Sequence, residues 1–217
     1  MTHKLIVAGV VIFFLLSCKS ENVWEEFEDS VFITYLHDNY DIPITENGHI
    51  DLDNDDTLRA LGKITFLNIN NINCISLKGI NNLVSLTQLY CGGNRLTSLD
   101  VSYLDNLYEL DCSNNYLKSI NVSGCSDLEI LYCNNNQIKK LKLEGCKHIR
   151  WLKCGKNQLK ELDIRGRNSL NAISCVPQTD DKNNIQNLTI IMSPGMKQIW
   201  EESWAKWNQN ANAIFEE

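Results

Sequence analysis

The sequence predicts an α/β repeat solenoid, with short parallel strands along a concave face and a helical cap at each end. Three observations carry this expectation. First, a 21-residue pattern recurs five times between residues 86 and 178. Leu86-Leu89-Cys91-Asn94-Leu96-Leu99-Val101 returns as Leu107-Leu110-Cys112-Asn115-Leu117-Ile120-Val122, then as Leu128-Leu131-Cys133-Asn136-Ile138-Leu141-Leu143 and as Ile149-Leu152-Cys154-Asn157-Leu159-Leu162-Ile164. The fifth copy, Leu170-Ile173-Cys175-Gln178, decays after its strand. A period held this strictly marks a stacked array, because each unit buries its apolar side only against its neighbours. Second and third, an apolar helical stripe precedes the repeats and an aromatic one follows them, which places a cover at either open end.

The chain of 217 residues opens with one lysine and an apolar run from Leu5 to Leu16, too short to span a membrane and suited to export. Residues 1–17 read as a signal peptide and 18–22 as a polar tether. Without residues 1–17 the chain loses Lys4 and no acid, leaving 19 basic against 27 acidic residues and a net charge of -8. Such a surface argues against nucleic acid as a partner. Val23, Trp24, Phe27, Val31, Phe32, Tyr35 and Leu36 then fall on one face of a helix ending near His37. Residues 23–63 form the N-terminal cap, with an acidic segment from Tyr40 to Asp56 read as a metal-free loop. An irregular first coil runs from Ile64 through Leu67, Ile69, Ile75, Leu77, Ile80 and Leu83 to Leu86, and the repeats occupy 64–178. In the closing segment, 179–217, Leu188 to Ser193 reads as one further strand. Pro194-Gly195 opens a helix in which Ile199 or Trp200, then Trp204 and Trp207, form the aromatic stripe.

Within a repeat, leucine and cysteine of the x-L-x-C-x strand point inward and their neighbours outward. Cys91, Cys112, Cys133, Cys154 and Cys175 share one inward position, while Cys125 and Cys146 stand where other coils carry leucine. Cysteine there behaves as a small buried hydrophobe, so free thiols are expected although the chain is exported. Asn94, Asn115, Asn136 and Asn157 fall at the turn, where an amide satisfies both a donor and an acceptor of the backbone. Gly124, Gly145 and Gly166 share a turn position that suggests a backbone angle other residues resist.

The pattern L-x-x-L-x-C-x-x-N-x-L is the leucine-rich-repeat signature. With Leu15-Leu16-Ser17-Cys18, which is similar to a bacterial lipobox, and with the lead-in segments at 23–56 and Ile75 to Leu83, the chain resembles bacterial leucine-rich-repeat lipoproteins. The resemblance covers about residues 23–178. It implies interaction rather than chemistry, an acylated Cys18 and anchoring in the cell envelope, at the outer membrane of a Gram-negative bacterium. It also implies a calcium loop, which the sequence fits poorly: with Gly48 at the sixth loop position, Pro43 and Asn54 fall where calcium wants Asp and Glu. Asp29-Ser30-Val31 and Asp56-Thr57-Leu58 resemble a bacterial O-glycosylation motif.

Candidate function falls on the outward strand positions. Tyr90, Glu109, Asp111, Ile130, Tyr132, Trp151 and Lys153 bring exposed aromatics and isoleucine beside charge, the composition of a binding hot spot. A protein or peptide ligand is expected there. The alternative is a glycan stacked on Tyr90, Tyr132 and Trp151. Glu109 and Asp111 have a spacing compatible with a carboxylate pair, but an open face gives neither the burial an acid catalyst needs. With no C-x-x-C, H-E-x-x-H, G-x-S-x-G or P-loop, no catalytic or metal residue and no cofactor is expected. The expected state is a monomer.

Overall fold

The computed structural model describes residues 25–216. The expected signal peptide, the acylated Cys18, the tether, and Val23 and Trp24 lie outside them. Two helices precede the repeats, α1 (Ser30–Tyr40) and α2 (Asp55–Leu61), followed by the first strand β1 (Phe66–Asn68). The repeats alternate two kinds of strand. Those after the leading leucines begin with β2 (Gln88–Tyr90); those on the opposite side begin with β3 (Ser98–Asp100). In chain order the rest are β4 (Glu109–Asp111), β5 (Ser119–Asn121), β6 (Ile130–Tyr132), β7 (Trp151–Lys153), β8 (Glu161–Asp163) and β9 (Ala172–Ser174). The chain closes with β10 (Gln178–Thr179), β11 (Ile185–Gln186), β12 (Leu188–Met192) and β13 (Ala211–Phe215).

Strands β1-β2-β4-β6-β7-β9 form one parallel sheet, each step shifting the chain by one repeat. Its central residues Leu67, Leu89, Leu110, Leu131, Leu152 and Ile173 are buried, as are, two residues on, Ile69 at the first strand and a cysteine at each of the others. The solenoid expected from the period is thus the observed fold. Each inward leucine removed from water contributes roughly 2 kcal/mol, repeated at every rung. Eight cysteines among the described residues, from Cys74 to Cys175, are buried free thiols. Burial pushes Cys133 up to about 12 and Cys146 up to about 11, which keeps them protonated and inert.

The asparagines knit adjacent coils. Asn115 Oδ1 accepts from Leu96 N at 3.0 Å, and its Nδ2 donates to Cys91 O at 2.9 Å and Cys112 O at 3.2 Å. Asn136 and Asn157 repeat this one and two coils on. Gln178 takes the same role at the fifth coil, accepting from Leu159 N at 3.0 Å and donating to Cys154 O at 2.9 Å and to Cys175 O. Side chains satisfy backbone groups that the turn would otherwise bury unpaired.

Several expectations are corrected. Helix α1 begins at Ser30, not near Val23, because Asp29 caps it: Oδ1 accepts from Val31 N at 2.8 Å and Phe32 N at 3.1 Å. Phe27 is buried from the extended lead-in rather than from a helix, and Val31 is exposed while Ile33 takes the inward place. The other oxygen of Asp29 accepts from Ile75 N at 2.6 Å and Ser76 N at 3.0 Å, tying α1 to the first coil. The acidic loop contains an Ile44–Ile50 bridge and then α2, whose N-terminus is capped by Asn54, the residue placed at a calcium position by resemblance. Thr57 of the glycosylation-like motif is fully buried. Gly145 and Gly166 do take positive φ, 91° and 72°, but Gly124 does not; a Cβ there would meet Ser102 O at 1.7 Å, so close stacking of coils excludes a side chain.

The C-terminal segment departs furthest. The expected strand forms as β12, but it pairs in parallel with β8 on the side opposite the six-stranded sheet. Irregular helical turns over 194–207 then lead to β13, an unexpected strand that adds in parallel beside β12. Trp200 and Trp204 are buried, and Ile199 is exposed. Through this crossover Asn208, 1% exposed, reaches the last rung. In inner rungs the strand cysteine donates its N–H to the next strand, as Cys133 N does to Lys153 O at 2.8 Å. At Cys175 no further strand follows, and Asn208 Oδ1 accepts from Cys175 N at 3.0 Å while its Nδ2 donates to Ile173 O at 3.2 Å. Trp204 Nε1 donates to Asn171 O at 3.3 Å. Side chains replace the backbone of an absent strand.

Candidate functional site

The in-register sheet aligns the outward residues in rows. One row runs Phe66, Gln88, Glu109, Ile130, Trp151 and Ala172, and the next Asn68, Tyr90, Asp111, Tyr132, Lys153 and Ser174. All seven residues expected on this face therefore lie on it, in two rows rather than one cluster. Ile130 is directly beside Trp151, which is 45% exposed, and Tyr132 is directly beside Lys153.

Contacts within the rows decide which groups are available. Lys153 Nζ sits 4.5 Å from the centre of the Tyr132 ring, a cation–π approach that covers one face of that ring. Tyr90 packs on Phe66, ring centres 5.7 Å apart, so its face too is partly used. Burial pushes the Tyr90 hydroxyl up to about 12, helped by its hydrogen bond with Glu109 and by the charges of Glu109 and Asp111. Burial and the same two carboxylates raise Tyr132. Glu109 Oε2 accepts from Gln88 Nε2 at 3.0 Å, and Asp111 Oδ1 from Ser113 N at 2.9 Å. Both carboxylates are held by neighbours.

An open depression of about 590 Å³ lies beside the second row. It takes Asp111, Tyr132 and Lys153 from the expected residues and adds Ser113, Asn134, Gly155, Lys156, Ser174 and Val176 among its walls. Glu109, Ile130, Tyr90 and Trp151 stand outside it. A reading weighted toward aromatics misses these small and polar positions; the outward periodicity that reaches Ser113, Asn134 and Gly155 is the signal that could have found them. Lys156 has no such signal, because its exposure there depends on a turn. Among the described residues no group of three or more His, Cys, Asp or Glu is arranged to hold a metal ion.

Comparison with known proteins agrees with the fold. The family described as Leucine Rich repeats (2 copies) matches residues 84–124. The functional domain of InlJ from Listeria monocytogenes, described as including a cysteine ladder, is similar at 25% identity and a TM-score of 0.54; the match covers 74% of this chain and 36% of that one. Internalin C2 from the same organism matches at 18% identity over 91% of this chain and 100% of that one, with a TM-score of 0.45. An LRR protein of Leptospira interrogans matches at 18% identity over 74% of this chain and 57% of that one, also with a TM-score of 0.45. No curated protein matches the sequence. Here Cys91, Cys112, Cys133, Cys154 and Cys175 form a buried column, one per rung, and the fold is a leucine-rich-repeat solenoid.

Proposed function

We propose that the protein is a recognition module that holds a protein or peptide partner on the outward, concave face of its six-stranded sheet. The observation that carries this is the apolar pair Ile130 and Trp151 on adjacent strands, with Trp151 45% exposed and Glu109, Asp111 and Lys153 on the neighbouring positions. An exposed aromatic beside an apolar neighbour, with charged residues elsewhere on the same face, is the composition that concentrates binding energy. In the alternative, a glycan stacks on Tyr90, Tyr132 and Trp151. Trp151 favours it, but Tyr90 and Tyr132 already spend ring surface on Phe66 and Lys153. Acylation of Cys18, with anchoring in the envelope, belongs to the same proposal, because the lipobox-like segment would hold this face near other envelope proteins.

The test compares the wild-type chain with the Tyr132→Ala, Trp151→Ala, Lys153→Ala triple variant in pull-downs from envelope extracts and on a glycan array. A protein ligand lost by the variant supports the module. A ligand retained by the variant moves the site elsewhere, and sugars bound without any protein ligand replace the reading. For the anchor, Cys18→Ser is expected to release the protein from the membrane fraction.

A further inference from the structure

The depression beside the second row is not a continuation of the aromatic patch. Its walls change charge across the sheet, with Asp111 on β4, Tyr132 on β6, and Lys153 and Lys156 at and just beyond β7. Among the described residues neither lysine has a carboxylate within ion-pair distance, and Lys153 Nζ lies over the Tyr132 ring.

Lys156 is also held against local preference. It has a φ of 54°, at the turn position filled in preceding coils by Gly93, Asn114 and Asn135. Glycine and asparagine enter this left-handed region readily, whereas a lysine there costs about 1 kcal/mol. Lysine also interrupts a side-chain stack, since Asn135 Nδ2 donates to Asn114 Oδ1 at 2.7 Å and an asparagine at 156 would extend the row. Gly155 beside it packs closely on the next coil: a Cβ there would lie 2.8 Å from Val176 O. The hydroxyls of Ser113 and Ser174 and the amide of Asn134 supply further donors around the same space.

We infer that this depression is a carboxylate-reading subsite, which seats an Asp, Glu or C-terminal carboxylate of an extended partner segment between Lys153 and Lys156. The inference rests on the concave-face reading above and names the chemistry that face selects. From β4 to β7 is two rungs, about 10 Å, or about two to three residues of extended chain. The preferred segment therefore carries a cationic side chain over Glu109 and Asp111 that many residues away from its carboxylate, with an apolar residue between them facing Ile130.

The experiment is a positional-scanning library of short immobilised peptides, each acid paired with its amide, probed with the purified chain at two salt concentrations. The expected result is enrichment of acidic peptides with a nearby Lys or Arg. Asp→Asn or Glu→Gln exchange in the peptide, or Lys153→Gln with Lys156→Gln in the protein, is expected to weaken binding about tenfold or more. Lys156→Asn is the decisive variant: it relieves the strained turn and so keeps or raises the unfolding midpoint, yet loses acid preference. Peptides that bind with no acid preference but are lost with Trp151→Ala would overturn the carboxylate subsite and leave the concave-face module standing. No peptide binding would overturn the carboxylate subsite and leave the module to the pull-down, whereas peptide binding insensitive to every concave-face variant, or binding only of acidic glycans on an array, would overturn both.

Discussion

At the β1 edge of the six-stranded sheet, the outward carbonyls of Phe66 and Asn68 accept from the hydroxyls of Tyr40 at 2.8 Å and Tyr35 at 2.6 Å, at the exposed rim of α1. At the β9 edge, the same kind of orphaned group is met by Asn208 and Trp204, both buried. Both ends solve one problem, since an open strand edge offers unpaired donors and acceptors to any other chain. They differ in where the strength lies. At the N-terminal end the edge contacts are superficial, and the anchorage comes instead from Asp29, which joins α1 to the first coil through four backbone N–H groups. At the C-terminal end one amide imitates the missing strand inside the core. A solenoid can be closed by clamping a helix over its first coil or by continuing its own hydrogen-bond ladder with a side chain.

Substitutions separate these two strategies, the strongest first. Asp29→Ala leaves four N–H groups without their charged acceptor and is expected to lower stability by about 4 kcal/mol in urea denaturation. A loss near that of an exposed cap alone, about 1 kcal/mol, would mean that the first coil does not depend on the clamp. The same residue has a pH signature. Burial pushes its carboxyl up, but hydrogen bonds from Ile75, Phe32 and Ser76 outweigh this and hold it below the usual carboxylate range. Its contribution is present above the ordinary carboxylate value and disappears as pH falls through the lowered one, so Asp29→Ala should flatten the acid limb of the stability profile.

Asn208→Ala comes next, with about 2 to 4 kcal/mol expected, because Cys175 N and Ile173 O would be buried without partners. Hydrogen exchange at Cys175 should quicken before that at Cys133; equal protection would show that the imitation of a strand is dispensable. Asn136→Ala, in the middle of the array, is expected to cost about 1 to 3 kcal/mol, and an unchanged midpoint would contradict the ladder's structural role. Tyr35→Phe is the smallest change, about 0.5 kcal/mol, since water replaces the lost hydroxyl at an exposed edge. A loss as large as that of Asn208→Ala would erase the contrast between the ends.

Much of the site was legible for the same reason that the fold was. A constant 21-residue period keeps every strand in register, so Ile130 falls beside Trp151 and Tyr132 beside Lys153 without further information. The period also separates inward from outward positions, which identified the cysteines and asparagines as scaffold. It did not show that Lys153 would cover Tyr132, that Tyr90 would pack on Phe66, or that the depression would favour small polar residues. Those outcomes depend on side-chain conformations across rungs, which a repeat pattern does not encode.

The sequence by itself determined the coil, which strand side chains of the repeats turn inward or outward, and the need for closure at both ends, because these follow from local periodicity and the burial of apolar groups. Tertiary structure alone decided how the closure is made. Asp29 meets Ile75 across 46 residues and Asn208 meets Cys175 across 33, neither at a spacing that any period predicts. Likewise β13 is a strand only because β12 lies beside it, and Lys156 lines a cavity only because the turn holds it in the left-handed region. Propensity and period act along the chain, whereas an unpaired backbone group at the end of a stack is satisfied by whichever side chain the fold brings within reach.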